Sequence, residues 1–178
     1  MPTADGQFAV KPLLDALRSE YGDSEFGYRM QGFFAHVLAQ LGAAILEVNA
    51  QGHPDIKARI NDTLLLVQVK SSKHGGPLSA FQLSAADFAG ISSGETTKGY
   101  LAFLDCAAPV TWILVEASVA RQFLSGRMPI AGLKAAEDEQ MSQDCTDTFV
   151  EIILSARNRL SLLTFPLLAK RAMSGEPC

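Results

Sequence analysis

Apolar side chains recur at helical spacing in one long stretch of the first half of the chain. Between residues 28 and 41 the apolar positions lie three or four residues apart, at Phe33, Phe34, Val37, Leu38 and Leu41. This spacing predicts a helix with one face in the core, and Gly42 ends it. A shorter helix is predicted over residues 12–21.

Three short apolar runs, separated by turn residues, follow this helix. They are residues 45–49, 55–60 and 63–70. Their Ile, Leu and Val content favours strands, with Gly52 and Pro54 marking the first turn and Asn61-Asp62 the second. Consecutive strands joined by such short turns predict an antiparallel meander.

The rest of the chain predicts further helices and strands around the meander. Residues 81–91 are expected to be helical, with Ser84 as N-cap and Asp87 as the matching acid three residues on. The other expected elements are strands at 100–105, 111–116 and 149–154, a short helix at 119–124, an acidic surface segment at 134–147 and an amphipathic segment at 160–171. Helices and strands in this order predict an α/β fold with helices packed on a sheet.

Length, charge and cysteine usage narrow the class of protein. The chain has 178 residues, 48% of them hydrophobic, which fits one globular domain. The net charge of −4 excludes a whole-molecule basic field, so nucleic acid would need a local basic surface. The spacing of the three cysteines fits neither a zinc site nor a disulfide framework, and no signal peptide or membrane-spanning stretch is visible. A reducing, cytoplasmic setting without membrane association is therefore expected.

Three polar residues near the strand ends suggest a site. If Asn61-Asp62 forms a two-residue loop, Asp55 lies opposite Gln68 with the Cβ atoms about 5 Å apart on one face. Lys70, two residues beyond Gln68, shares that face. A longer loop would shift this register. The alternative without any functional site is a plain ion pair between Lys70 and Asp55.

The sequence around these residues resembles the PD-(D/E)xK nuclease superfamily. The similar segments are Gly52-His53-Pro54-Asp55 and Val67-Gln68-Val69-Lys70-Ser71. The form with Gln in place of the second acid resembles Mrr-type restriction enzymes. The resemblance covers about residues 25–118 and implies a three-layer restriction-endonuclease-like core, with a central mixed sheet, an antiparallel three-strand meander and flanking helices. Residues 1–24 would be a lead-in, and 119–178 a C-terminal extension packing on the core.

The resemblance implies catalytic roles for Asp55, Gln68 and Lys70. Asp55 would be the main ligand of a hard divalent cation, Mg²⁺ or Mn²⁺, and Gln68 would add its carbonyl oxygen. Lys70 would orient water and stabilise developing charge. The implied reaction is metal-dependent hydrolysis of phosphodiester bonds, with DNA as the first choice of substrate.

One departure from the family pattern weakens the expected metal site. Family members often carry an acid on the first helix, where this chain has Gln31, so Asp55 is the only carboxylate carried over. The cation is therefore expected to bind weakly. Glu47, on the neighbouring strand, and His53, in the preceding turn, are auxiliary candidates, although each also fits an ordinary surface role.

The nucleic-acid contacts and the partner stay open between alternatives. Lys57, Arg59 and Lys73 are candidates for phosphate contacts, and a solvated strand face is the competing interpretation. The alternative to a nuclease is a catalytically weakened module that binds nucleic acid or a protein partner without cleavage. A third interpretation is a structural subunit of a larger complex, and a homodimer is a further option.

Overall fold

The computed structural model describes residues 4–48, 53–72, 80–123 and 127–156, and five strands of this part form a central sheet. The strands of the described part are β1 (Ala44–Val48), β2 (Ile56–Ile60), β3 (Thr63–Ser71), β4 (Ala80–Gln82), β5 (Thr97–Asp105), β6 (Thr111–Glu116) and β7 (Arg127–Pro129). The helices are α1 (Ala4–Gln40), α2 (Ala117–Ala120), α3 (Ile130–Ala135) and α4 (Glu139–Ala156), with 3₁₀ helices at Ala85–Phe88 and Arg121–Phe123. The sheet order is β1-β2-β3-β5-β6, while β4 and β7 pair separately.

The central sheet is mixed, and its register follows from one tight turn. Strands β3 and β5 run parallel, whereas the other neighbours are antiparallel. Ile60 pairs with Thr63 and Ile56 with Val67, so the β2–β3 hairpin has the two-residue loop Asn61-Asp62. Asn61 has a φ of 51°, a conformation that asparagine tolerates in tight hairpin turns. The meander and the register predicted from the sequence are confirmed.

One face of β3 lies in the larger apolar core. Leu65, Val67 and Val69 share this core with residues of α1 and α4. Four aromatic rings join the two helices to β6, with centroids 4.5 Å apart for Phe34–Trp112, 5.6 Å for Trp112–Phe149 and 5.9 Å for Phe33–Phe149. Such offset and edge-to-face contacts are favourable beyond the burial of the rings.

The other face of the sheet is covered by shorter elements. Leu66, Leu101 and Phe103 pack there against Phe81 and Phe88, in a second core that also receives side chains from α2, β7 and α3. Strand β3 is therefore apolar on both faces, as expected of a central covered strand. The fold is α/β, with a five-stranded mixed sheet flanked by helices.

The N-terminal residues belong to the same core as the sheet. A single helix, α1, includes both helices predicted from the sequence and has a kink at Gly22, whose φ of 75° and ψ of 168° are not helical. Val10, Leu14 and Leu17 are buried in the larger core, so packing shows no boundary near residue 24. Within the described ranges, no helix has the length and apolar character needed to cross a membrane.

Two of the elements predicted in the last third of the chain are wrong. Residues 149–154 are part of α4 rather than a strand, and 134–147, expected as a surface segment, includes the start of that helix. The buried side chains of α4 recur at helical spacing, at Ser142, Cys145, Thr146, Phe149, Val150 and Ile153. Two of these side chains, Ser142 and Thr146, carry hydroxyl groups. The pattern of apolar residues alone therefore did not predict the buried face of the helix. The segment 160–171 lies outside the described residues.

Residues 81–91 form strand β4 and a 3₁₀ helix rather than the predicted α-helix. Phe81 pairs with Met128 in β7, and Phe81 and Leu83 both face the second core. At the start of the segment, strand pairing and the burial of every second residue therefore stabilise a strand more than helical propensity stabilises a helix. The predicted Ser84–Asp87 cap is present, at the start of the 3₁₀ helix.

Helix α4 covers strand β6 at the edge of the sheet. The Trp112 N–H donates to Thr146 Oγ1 and the Leu114 N–H to Ser142 Oγ, each at 2.9 Å. The Asp138 N–H donates to the Leu114 carbonyl at 2.8 Å. These bonds satisfy backbone groups of β6 that no strand pairs, and they explain why two hydroxyls of α4 are buried.

We predict that Phe149→Ala lowers the free energy of unfolding by about 3–5 kcal/mol, because it leaves a cavity between α1, α4 and β6. Chemical denaturation monitored by circular dichroism measures this loss. Phe8, which is 52% exposed, provides a matched control, and Phe8→Ala should change stability by no more than about 0.5 kcal/mol. Equal effects of the two substitutions would contradict the docking of α4.

Candidate functional site at the end of the central strands

The predicted site residues meet at one end of the sheet. Asp55 immediately precedes β2, and Gln68 and Lys70 lie near the end of β3, which runs antiparallel to β2. Gln68 and Lys70 alternate with Val67 and Val69, so their side chains lie on the face of the second core. The hairpin loop sets this juxtaposition, because a shift of one residue would move Gln68 to the other face.

Asp55 is a buried carboxylate that connects the two strands. Its residue surface is 3% exposed. Its Oδ2 atom accepts the Gln68 side-chain N–H at 2.6 Å and the Val69 backbone N–H at 2.7 Å. No hydrogen bond within the described residues reaches Asp55 Oδ1. Among the described residues, no group competes with a further ligand for that oxygen.

Gln68 connects Asp55 to His53. The Gln68 Oε1 atom lies 2.9 Å from His53 Nδ1. Because Gln68 Nε2 donates to Asp55, Oε1 is the acceptor, and His53 Nδ1 carries the proton. The amide thus presents its nitrogen, not its oxygen, to Asp55. His53, an auxiliary candidate from the sequence, is in contact with the site.

Lys70 has a different partner from the one considered in the sequence. Its Nζ atom lies 2.5 Å from Oδ1 of Asp87, whose side chain is only 7% exposed. The other oxygen of Asp87 accepts the Ser84 N–H at 2.7 Å and the Ser84 hydroxyl at 3.0 Å. The capping pattern revealed one role of Asp87 in advance. Its contact with Lys70 depends on tertiary packing and left no signal in the sequence.

The two buried aspartates differ in their electrostatics. Burial raises the pKa of Asp55 to about 6, although hydrogen bonds from Val69 and Gln68 oppose this shift. Burial would also raise the pKa of Asp87, but its bonds with Lys70 and Ser84 outweigh that effect, and the pKa is lowered. Asp87 is thus a compensated carboxylate, whereas the charge of Asp55 is poorly compensated.

The other predicted residues within the described ranges lie on β1, β2 and α1. Glu47 pairs with Lys57 across β1 and β2, with Oε2 and Nζ 2.6 Å apart. Arg59 is exposed further along β2. Gln31 is half-buried on α1, the helix that packs on the opposite face of β3. Lys73 lies outside the described residues.

Asp55 and Gln68 are the described residues of the site that could hold a hard cation. Among the described residues, no group of three or more His, Cys, Asp or Glu side chains is arranged to hold a metal. Asp55 Oδ1 offers a carboxylate oxygen, and Gln68 would offer its carbonyl oxygen if the amide turned over. Oxygen donors of this kind suit Mg²⁺, which retains several waters in protein sites.

Comparison with protein-family models, with curated proteins and with solved structures found no match.

We predict that ionisation of Asp55 destabilises the fold. A carboxyl group whose pKa is raised on folding, here from 3.8 to about 6, stabilises the protein below its unfolded pKa and loses this effect as pH rises through the folded pKa. Relative to Asp55→Asn, the wild type should lose about 2 kcal/mol between pH 4 and pH 7.5. Urea denaturation in the presence of EDTA measures the difference.

The surface variant Asp62→Asn serves as the control, since Asp62 is an exposed acid of the hairpin loop. Parallel stability profiles for wild type and Asp55→Asn would contradict the burial of an ionising carboxyl at this position.

Proposed function

We propose that this protein is a metal-dependent nuclease that hydrolyses phosphodiester bonds, with DNA as its substrate. The observation that carries the proposal is the hydrogen-bonded pair Asp55–Gln68 with Lys70 on the same face of adjoining strands. The resemblance to the PD-(D/E)xK nucleases implies these three residues at one site, with the oxygen of Gln68 rather than its nitrogen directed at the cation. The mixed sheet with its antiparallel meander and flanking helices supports a restriction-endonuclease-like core.

The residues that would hold the cation are Asp55 and Gln68. The bound Mg²⁺ or Mn²⁺ would supply the charge that activates water and polarises the phosphate. To offer its oxygen, Gln68 must turn over its amide and give up its bond to Asp55. This reorganisation and the single carboxylate both predict weak, millimolar affinity.

Lys70 would act on the phosphate. In the hydrolysis a water oxygen bonds to phosphorus, the bond from phosphorus to the leaving sugar oxygen breaks, and that oxygen takes up a proton. The Lys70 ammonium stabilises the negative charge that develops on the phosphate oxygens. Its side chain is 29% exposed, so a substrate can reach it from solvent.

The surface near the site offers limited positive charge. Arg59 is exposed on β2, the strand that follows Asp55, and Lys57 on the same strand is paired with Glu47. With a net charge of −4, affinity for DNA would come from a few phosphate contacts and fall steeply with salt.

A second candidate function is binding without cleavage, to nucleic acid or to a protein partner. The specific observation in its favour is that Gln68 presents its amide nitrogen to Asp55 Oδ2, a hydrogen bond that forms without a metal. A homodimer or a partner subunit in a larger complex would be compatible with either function.

We predict that the wild type nicks supercoiled plasmid with Mg²⁺ or Mn²⁺ and that Lys70→Ala lowers the rate by roughly 10²–10³-fold, because the charge stabilisation is lost. The substitution also leaves Asp87 without its partner, which should cost roughly 1–3 kcal/mol of stability. The folded fraction is therefore checked by circular dichroism at the assay temperature.

Lys98→Ala is the matched control for nicking. Lys98 is exposed on β5, five residues before Phe103, which pairs with Lys70. Equal nicking by wild type and Lys70→Ala would point to a contaminating nuclease. Salt-sensitive DNA binding by a wild type that never nicks would support the second candidate function.

We predict that Gln68→Glu tightens Mg²⁺ binding by roughly tenfold, because a second carboxylate adds attraction that repulsion from Asp55 and desolvation partly cancel. Isothermal titration calorimetry measures both proteins. Gln31→Glu adds the same charge on the other side of the sheet and should leave the affinity unchanged. Tightening by Gln31→Glu alone would move the site to α1.

A further inference from the structure

Asp87 reaches the site from outside the hairpin. It lies in the 3₁₀ helix Ala85–Phe88, about midway between β3 and β5 in the chain. Its Oδ1 atom is 2.5 Å from Lys70 Nζ. Within the described ranges, Asp87 is the side chain that pairs with the Lys70 ammonium group.

Both oxygens of the Asp87 carboxylate have partners among the described residues. Its second oxygen accepts two hydrogen bonds from Ser84, and its own N–H donates to the Ser84 carbonyl at 3.1 Å. The adjacent Phe88 is buried in the second core. One oxygen of Asp87 thus serves the turn, and the other is left for Lys70.

The same segment touches the chain that leads into Asp55. Gly90 has a φ of 70°, and a Cβ built on it would lie 2.8 Å from the His53 carbonyl oxygen. Only glycine allows this approach of the two backbones without strain. Residues 84–90 therefore contact both sides of the site, Lys70 through Asp87 and the His53–Pro54 backbone through Gly90.

We propose that Asp87 is a positioning residue, which holds the Lys70 ammonium ready for a substrate phosphate. A lysine ammonium has three donors, and Asp87 uses one, so two remain for the substrate. A free lysine side chain would lose rotamer entropy on binding. Asp87 restricts the side chain before the substrate arrives. The catalytic consequence of this proposal rests on the proposed nuclease function, whereas the positioning itself does not.

The activity test uses Asp87→Asn, which keeps the shape and one capping oxygen but removes the charge that holds Lys70. Nicking should slow by roughly 10- to 100-fold in kcat with little change in KM, since DNA contacts elsewhere persist. Asp87→Glu should restore part of the rate. A purely structural role would instead lower the stability and leave kcat of the folded enzyme unchanged, which would overturn the proposal.

Asp138→Asn is the matched control. Asp138 accepts the Met141 N–H at 3.1 Å near the start of α4 and the Tyr100 hydroxyl at 3.1 Å. The substitution therefore removes the same charge from another capping aspartate, away from Lys70. Its kcat should stay within about twofold of wild type.

A second test does not depend on catalysis. Acylation of lysines by a succinimidyl ester, followed by peptide mass spectrometry, should modify Lys70 slowly in wild type and severalfold faster in Asp87→Asn, but not in Asp138→Asn. Unchanged reactivity of Lys70 in Asp87→Asn would overturn the positioning. If the wild type never nicks DNA, the nuclease proposal fails, and the labelling still decides whether Asp87 holds Lys70.

Discussion

The bonds from Asp55 Oδ2 to the Val69 N–H and to the Gln68 amide are the interaction on which the site depends. They join the residue before β2 to the end of β3 and hold a carboxylate where water cannot solvate it fully. The burial of this group has a cost, seen in its raised pKa. A buried acid that only connected two strands would cost more free energy than an apolar contact or a neutral amide in the same place. The chemistry proposed above would give this acid a role that neither substitute could fill.

The end of β3 is held from both faces by groups that are distant in sequence. On the face of α1, the Arg18 guanidinium donates to the Ser72 carbonyl and contacts Cys106 Sγ. On the other face, Asp87 holds Lys70. The strand end is thus ordered by one charged group on each side, with apolar cores behind both. Side chains that must meet a substrate within a fraction of an ångström need such support from neighbouring groups.

Most of the central sheet could be predicted from the sequence. The same holds for the positions of Asp55, Gln68 and Lys70, but not for the contact between Asp87 and Lys70. Strand propensity and the tight turn at Asn61-Asp62 were local signals, and they fixed the register that brings Asp55 to Gln68. Asp87 was recognised as a cap but not as the partner of Lys70, because the fold of the intervening segment decides that contact. Helix α4 was missed since its inner face includes Ser142 and Thr146, whose burial makes sense only beside an unpaired strand edge. Contacts of that kind are properties of the assembled fold.

Coverage of β6 by the hydroxyls of α4 has a consequence for misfolding. Ser142 and Thr146 accept hydrogen bonds from the backbone N–H groups of Leu114 and Trp112 in a hydrophobic strand. A helix can separate from these groups more easily than a neighbouring strand can. Any local opening of α4 therefore exposes a strand edge that can pair with another chain. Aggregation of this protein would then begin at the β6 edge once α4 undocks.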